Sequence, residues 1–188
     1  MFPFVALPVM RSNFTPVTRT YTSGSAAVET VPIGATAVTI RVVGGGGSGG
    51  HDSVNYASGG GSGGYPLRVI AVAGGNTMTY TVGAGGAAQA INQTAGNAGA
   101  NSTVSGTVSG GAIAMTGGGG GAGDIGVSPL EGAGGTATGG GTNTAGNASV
   151  GLTGGVAVYL TYGKGGDGSI TAAASQAGTG GVVIFEYT

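Results

Sequence analysis

The residue types that most often carry out chemistry meet once in this chain, at His51, Asp52 and Ser53. Serine, histidine and aspartate form the proton relay of many hydrolases, but that relay is defined by its geometry in three dimensions. Side chains that directly follow one another in sequence do not usually point at one another in this way. We therefore predict no catalysis here and interpret His51 as an exposed loop residue that is available to a partner.

Two glycine motifs and two aspartates raise the question of bound cofactors or metals. Residues 83–88 (GAGGAA) satisfy G-x-G-x-x-A, but the helix and the acidic residue that complete a dinucleotide site are missing. Residues 163–165 (GKG) lack the Ser or Thr of a phosphate-binding loop. Asp124 and Asp167 lie in stretches similar to calcium-binding nonapeptides, but the spacing is one residue short and there are no tandem copies. Since paired carboxylates and a nucleophile with its base are also missing, we expect no cofactor, no metal and no enzyme.

The composition limits the partners of the chain. Five basic and six acidic side chains are scattered singly over 188 residues and give a formal net charge of −1. There is no basic stripe to neutralise phosphates, which argues against nucleic acid as a partner. The sequence has no cysteine, so disulfides and thiolate chemistry are excluded.

The length fits one domain that is preceded by a short arm. The arm, residues 1–17, begins with an apolar stretch (MFPFVALPVM) that prolines keep from forming a helix and that would be costly to leave in water. This stretch is neither a good signal peptide nor long enough to span a bilayer. We interpret residues 1–17 as a docking arm and 18–188 as one glycine-rich β domain. The predicted docking residues are Phe2, Phe4, Leu7 and Met10.

Glycine makes up 47 of the 188 residues and occurs in uninterrupted runs, such as 44–47 and 117–121. It is about 0.5–1 kcal/mol worse than alanine inside a regular element and has no side chain to bury. One interpretation is polyproline-II backbone, with three residues per turn, packed side by side through main-chain hydrogen bonds. The alternative is a flexible linker, but this chain is only 6% charged and 40% hydrophobic, unlike disordered sequence. A short repeat, TAGNA at 94–98 and 144–148, fits a stack of similar passes of chain.

Apolar and polar residues alternate in the segments between glycine runs, which is typical of half-buried antiparallel strands. The predicted strands are 18–22, 26–31, 37–43, 66–73, 77–82, 156–162 and 182–188. Gly74-Gly75-Asn76 between two of them predicts a hairpin. Glycine runs dominate 83–155. We predict an all-β fold, an antiparallel β-sandwich base with packed polyglycine-II segments and almost no helix.

Inserts between the glycine runs hold the side chains that are able to recognise a partner, because packed glycine backbone is uniform and loops on rigid scaffolds commonly bind. Two inserts, 51–58 (HDSVNYAS) and 124–131 (DIGVSPLE), concentrate this chemistry. The alternative is that both are only solvated turns. The predicted contact residues are His51, Asp52, Asn55, Tyr56, Asp124, Leu130 and Glu131.

The order of these pieces is informative. The chain reads VPIGATAVTIRVVGGGGSGG, then GGYPLRVIAVAGGNTMTYTVGAGGAA, then YGKGGDG and finally GTGGVVIFEY. From about Glu29 to Tyr187 it resembles the glycine-rich domain found at the ends of bacteriophage tail fibres and in related virion proteins. The resemblance implies a β-sandwich base that carries polyglycine-II segments, with receptor specificity in the loops between them.

We therefore expect a non-enzymatic virion structural protein, a tail-fibre or tail-tip component that takes part in host attachment. Its expected location is the phage particle, where it forms a homo-oligomer. The expected partners are other virion proteins, through the arm, and a host cell-surface receptor, with no nucleic acid and no membrane span. The alternative is a glycine-rich extracellular structural or ligand-binding domain of cellular origin, which a secretion signal would favour.

Overall fold

A computed structural model describes residues 14–188 of the chain, and in this range there are twelve strands and no helix. None of the described residues therefore forms a helix that is long and apolar enough to cross a membrane. The four docking residues predicted in the arm lie outside the described residues. The strands are β1 (Val17–Tyr21), β2 (Ala27–Thr30), β3 (Ala37–Val43), β4 (Tyr56–Ala57), β5 (Tyr65–Ala71), β6 (Thr77–Thr81), β7 (Ser102–Val108), β8 (Gly111–Gly117), β9 (Ile125–Gly126), β10 (Ala137–Thr138), β11 (Thr142–Thr144) and β12 (Val182–Tyr187).

Two antiparallel sheets form a sandwich, which we call the base. One sheet has the order β1-β12-β3-β5-β11 and the other β10-β8-β7-β6-β2. Alternate residues of the strands meet between the sheets, with Ile40 and Phe185 from the first and Met78 and Met115 from the second fully buried. The predicted all-β fold with a sandwich base is confirmed.

Two strand predictions are wrong, and one hairpin was not predicted. The predicted hairpin at Gly74-Gly75-Asn76 is wrong, because β5 and β6 lie in different sheets and the turn carries the chain across the sandwich. The real hairpin is β7–β8, in a region that we had described as dominated by glycine. Residues 156–162 form no strand. They make a strap in which Tyr159 stacks on Tyr65, with ring centroids 5.0 Å apart, over the small apolar cluster of Val43, Val182 and Ile184.

A buried carboxylate ties β1 and β2, the edge strands on one side of the base, to each other. The Glu29 side chain is 2% exposed and accepts hydrogen bonds from Arg19 Nη1 (2.7 Å), Tyr21 Oη (2.6 Å) and Tyr187 Oη (2.7 Å). Burial and the bond to Glu29 raise the pKa of Tyr21 to about 12, and the same causes raise the pKa of Tyr187. The two phenols therefore stay protonated and donate to the carboxylate.

Ten glycine-rich segments run between the base and the opposite end of the domain. They pack side by side as a bundle, some parallel and some antiparallel to their neighbours. Their backbone hydrogen bonds repeat every three residues: the N–H groups of residues 44, 47 and 50 all donate to one neighbour, and those of 45, 48 and 51 to another. Three residues per turn is the geometry of polyproline-II helices. The prediction of packed polyglycine-II segments therefore agrees with the hydrogen-bond pattern. The segments are 44–50, 58–64, 83–87, 94–100, 118–124, 131–136, 145–149, 154–158, 163–169 and 175–181.

Two of these, 44–50 and 58–64, lie at the centre, and the other eight form a closed ring around them. Each central segment has six neighbouring segments, so that it is enclosed on all sides and contains only glycine and the small residue serine. A Cβ on Gly47 would lie 2.0 Å from the Gly121 carbonyl oxygen, and one on Gly60 would lie 2.3 Å from that of Gly47. Only glycine allows backbones to approach so closely.

Serine is the one larger residue type in the two central segments. Two of the three serines, Ser48 and Ser62, each form a clasp with one copy of the TAGNA repeat through the hydroxyl, whereas the hydroxyl of Ser58 bonds to Asp124 and Leu130. The amide of Ser48 donates to Asn97 O (2.8 Å) while Ser48 Oγ accepts from Asn97 N (2.8 Å). Ser62 and Asn147 make the same pair at 2.9 and 2.7 Å. The repeat therefore marks two equivalent places in the bundle, one beside each central segment.

Candidate functional site

The five connections at the end of the bundle away from the base form what we call the tip. Each glycine segment that continues from a strand runs away from the base, turns at the tip and returns in a second segment. Loops held in this way stand on a scaffold whose segments are joined to their neighbours by backbone hydrogen bonds. The tip loops are 51–57, 88–93, 125–130, 150–153 and 170–174.

His51 lies inside the tip and joins three of its loops. Its amide donates to Thr94 O (2.9 Å) and its carbonyl accepts from Thr94 N (3.0 Å), while its ring Nε2 is 2.8 Å from Thr171 O. Only 2% of His51 is exposed. The predicted exposure of His51 is therefore wrong, because chain segments distant in sequence cover the ring.

Asp52 is also buried, with 1% of its surface exposed, and it stabilises the turn of its own loop. Its Oδ1 accepts from Val54 N (2.9 Å) and Asn55 N (3.1 Å), and its Oδ2 from Asn55 Nδ2 (3.3 Å). The bonds from the two backbone amides hold the pKa of the Asp52 carboxyl below its usual range. Both side chains are therefore enclosed within the tip, and that they contact a partner stays a prediction.

The two predicted inserts lie side by side. β4, in the first insert, pairs with β9, in the second, through Tyr56 opposite Gly126. Ser58 Oγ donates to Leu130 O (2.6 Å) and accepts from Asp124 N (2.8 Å). Asn55, Tyr56, Leu130 and Glu131 are exposed at this junction and Asp124 is half-buried. That these residues contact a partner stays a prediction.

Large apolar side chains stand in solvent at the tip. They belong to all five loops, although a residue of this kind is normally buried when a neighbour is available. Of these residues, only Tyr56 and Leu130 were predicted from the sequence. The pattern that identifies the others is an isolated large apolar residue in a short insert between glycine segments. Their exposed fractions are Val54 69%, Tyr56 62%, Ile91 73%, Val127 84%, Leu130 75%, Val150 75%, Leu152 37% and Ile170 42%.

The basic side chains of the described residues lie away from the tip, whereas carboxylates occur both at the tip and in the base. The tip loops and the residues that flank them carry the carboxylates of Asp52, Asp124, Glu131 and Asp167 and no Lys or Arg, whereas Arg19, Arg41 and Arg68 lie on strands of the base. Two tip carboxylates also brace the scaffold: Glu131 Oε1 accepts from Gly151 N (3.0 Å) and Asp167 Oδ1 from Gly154 N (2.8 Å). The tip is thus apolar and acidic.

The chemistry available elsewhere is limited. In residues 14–188 no group of three or more His, Cys, Asp or Glu side chains is placed to hold a metal ion. A cavity of about 390 Å³ lies where the base meets the bundle, on the side away from the tip loops. It is lined by Thr22, Thr161, Tyr162, Thr179, Gly180 and Gly181. These groups offer hydroxyls and an aromatic ring but no carboxylate or imidazole for proton transfer.

Comparison with known proteins places this architecture in a family. No curated protein sequence matches the chain. A family model, described as a glycine-rich domain, matches residues 21–188, which include every strand from β2 onward and all ten glycine segments. Because the match covers nearly the whole chain, this protein belongs to the glycine-rich domain family.

Proposed function

We propose that this protein is a non-enzymatic bacteriophage virion protein, a tail-fibre or tail-tip component, that attaches the particle to its host through the tip loops. The observation that carries the proposal is the exposure of eight large apolar side chains on five loops at one end of the bundle. Apolar groups that gather at one place on a soluble domain mark an interaction surface.

The scaffold supports this role because it fixes the loops without taking part in recognition. The central glycine segments are enclosed by other backbones and offer a partner no side chains. Binding residues are commonly found on loops that a rigid framework positions. Exposed aromatic and aliphatic side chains such as Tyr56, Val127 and Leu130 are suited to enter pockets of a partner.

The position at which the chain enters the domain supports attachment to the particle at the end opposite the tip. Val17, the first residue of β1, is paired with Tyr187, the last residue of β12. Since β12 follows the glycine segment 175–181, Tyr187 lies at the end of the base farthest from the tip. Residues 1–17 thus join the domain far from the tip loops, by roughly 40 Å if seven-residue strands and seven-residue glycine segments are stacked end to end. In the proposal this arm binds another virion protein and the tip binds a host cell-surface receptor.

The experiment replaces exposed apolar residues of the tip and compares them with equally exposed residues of the base. The tip variant carries Tyr56→Ser, Val127→Ser and Leu130→Ser. The control carries Ile33→Ser and Val69→Ser, which are 84% and 64% exposed. Phage that carry each variant are purified, the virions are analysed by mass spectrometry for the protein, and the rate of adsorption to host cells is measured.

The tip variant should be incorporated normally and adsorb about tenfold more slowly or worse, because a few central residues carry most of the energy of an interface and the loss of one of them costs about 2 kcal/mol or more. The control should adsorb at the wild-type rate. Unchanged adsorption of a folded tip variant would move the contact surface away from the tip. Absence of the wild-type protein from purified virions would refute the virion assignment itself.

A further inference from the structure

We propose that the cavity at the junction of base and bundle binds a single neutral sugar ring. This cavity lies away from the tip loops, so the inference holds whatever the tip binds. It follows from the chemistry of the six residues that line the cavity, from an open glycine in its floor and from a strained turn that forms one wall.

Three parts of the chain enclose the cavity. Thr22 directly follows β1, Thr161 and Tyr162 end the strap, and Gly180 and Gly181 end the glycine segment that leads into β12. The volume of about 390 Å³ lies at the lower end of the range of about 300–1,000 Å³ that is typical of small-molecule sites. The cavity therefore has the size for one small ring.

The hydroxyl groups around the cavity leave hydrogen-bonding capacity for a ligand. Within residues 14–188, the hydroxyls of Thr22, Thr161 and Tyr162 have no hydrogen-bond partner. Thr179 Oγ1 accepts from Lys164 N (2.7 Å) and donates to Thr161 O (3.1 Å), which fixes the strap to the glycine segment. Each of the three other hydroxyls is able both to donate and to accept, as are the hydroxyls of a sugar.

Tyr162 supplies an aromatic wall that the base holds in place. Its ring is half-buried and packs against the small apolar cluster of Val43, Val182 and Ile184, and Tyr162 also lines the cavity. A tyrosine ring combines an apolar body with a polar tip. Since a sugar ring has C–H groups on its faces and hydroxyls at its edge, the tyrosine ring and the threonine hydroxyls together match both kinds of group.

The floor of the cavity is open at Gly180, although the packing of the bundle does not require a glycine there. A Cβ on Gly180 would have no neighbour nearer than 3.9 Å, the Gly83 carbonyl oxygen, and Gly180 has no positive φ. Alanine would therefore fit at this position, in contrast to the glycines of the central segments. Glycine leaves the backbone accessible to the close approach of a ligand.

A strained turn positions the wall that Thr161 and Tyr162 form. The turn is closed by a hydrogen bond from Tyr162 N to Tyr159 O (3.2 Å), and Leu160 within it adopts a φ of 51°. This conformation is unfavourable for a bulky residue, and Leu160 is 72% exposed, so burial of its side chain does not offset the strain. Backbone strain of this kind is concentrated at ligand-binding sites.

The uncharged lining selects the class of ligand. None of the six lining residues is Asp, Glu, Lys, Arg or His, so the lining has no counter-charge for an ionised ligand. An entirely apolar ligand would cover the threonine hydroxyls without giving them hydrogen-bond partners. A neutral ring with several hydroxyls avoids both costs.

The test is a titration of the ¹⁵N-labelled full chain followed by NMR. The probes are D-glucose, D-galactose and N-acetyl-D-glucosamine, each up to about 50 mM, because a single ring makes few contacts and should bind with a dissociation constant on the order of 1–10 mM. At least one sugar should shift the amide signals of Thr161, Tyr162 and Gly180 saturably and leave those of Val127 and Val150 at the tip unchanged. Inorganic phosphate, an anion, and cyclohexanol, a largely apolar ring, should not shift the cavity signals.

Two variants alter the cavity, and one matched control does not. Gly180→Ala places a methyl group on the floor and should weaken sugar binding about fivefold or more. Thr161→Val removes one hydroxyl but keeps the carbonyl that accepts from Thr179, and should weaken binding about threefold. The control Gly141→Ala should bind like the wild type. Gly141 is exposed, has no positive φ and has the same open space of 3.9 Å, but it lies beside β11 at the opposite edge of the sheet from β1.

The inference would be overturned by the absence of saturable cavity shifts with all three sugars, by shifts at the tip instead, or by equal binding of phosphate or cyclohexanol. Wild-type affinity in both cavity variants would overturn it as well, and so would an equal loss of affinity in Gly141→Ala. Thermal unfolding establishes that each variant is folded. If one cavity variant does not fold, the affinity of the other decides.

Discussion

Alanine at Gly178 or at Gly180 tests the close packing of the glycine bundle within one segment, 175–181. Gly178 faces the centre, and a Cβ there would lie 2.0 Å from the Gly46 carbonyl oxygen. Gly180 faces solvent, and its Cβ would have no neighbour nearer than 3.9 Å. Neither residue has a positive φ, so alanine strains neither backbone by itself. The two variants differ mainly in what the added methyl group meets.

The structure gives the size of the effect at Gly178. To reach an ordinary contact distance, segment 175–181 must move about 1.4 Å away from the central segment 44–50. That movement breaks the bonds Gly46 N to Thr179 O (2.9 Å) and Gly49 N to Gln176 O (3.2 Å). Overpacking of about 1–3 kcal/mol and about 1 kcal/mol for each lost bond give a total of about 3–5 kcal/mol.

Thermal unfolding followed by circular dichroism measures both variants. Gly178→Ala should lower Tm by roughly 10 °C, since 1 kcal/mol corresponds to about 2–4 °C in a domain of this size. Gly180→Ala should raise Tm slightly, because alanine restricts the unfolded chain by about 0.4–1 kcal/mol relative to glycine. Equal Tm values for the two variants would mean that the segment is loosely held, and the close packing described above would be refuted.

Three further predictions concern the base and the central segments. Glu29→Gln should lower the free energy of unfolding in urea by about 2–3 kcal/mol. The control Glu186→Gln, at a carboxylate that is 35% exposed, should lower it by less than about 1 kcal/mol. Equal losses in the two variants would contradict the role given to the burial of Glu29. Because the pKa of Tyr21 is raised to about 12 in the folded state, the stability it contributes is complete below about pH 10 and is lost as the pH rises through 12. The fall in the free energy of unfolding in urea between about pH 10 and pH 12 should therefore be smaller in Tyr21→Phe than in the wild type, and an equal fall would contradict the raised pKa. Ser48→Ala and Ser62→Ala should each cost about 1 kcal/mol and add in the double variant, since the two clasps share no partner; a clearly non-additive double variant would show that they are coupled.

Local pattern was sufficient to predict most strands of the base and the packing of the glycine runs. Alternation in residues 37–43 and 182–188 identified β3 and β12, and the density of glycine in an apolar chain indicated packed backbone. Pattern alone could not tell in which sheet a strand lies, so β5 and β6 were paired wrongly. The β7–β8 hairpin was missed because Gly106 and Gly111, both with positive φ, interrupt its pattern. Residues 156–162 alternate like a strand but pack across the outside of a sheet instead.

The tip was only partly predictable for a different reason. The inserts were identified as loops because they interrupt glycine runs, and Tyr56 and Leu130 are indeed exposed there. His51 has the same local setting, yet it is buried by Thr94 and Thr171, which are distant in sequence. No local signal distinguishes a loop residue that faces solvent from one that three loops enclose.

The bundle also has a mechanical consequence. A polyproline-II helix rises about 3.1 Å per residue, close to the 3.3–3.6 Å of a fully stretched chain, so the segments have little slack to give up under tension. The ten segments run between base and tip, and their hydrogen bonds lie across that direction. A force applied at the tip is therefore shared by ten nearly extended backbone segments. It loads many of the hydrogen bonds between segments in shear at the same time, instead of breaking them one after another. The domain should behave as a stiff tether that transmits force from its loops to its base with very little extension.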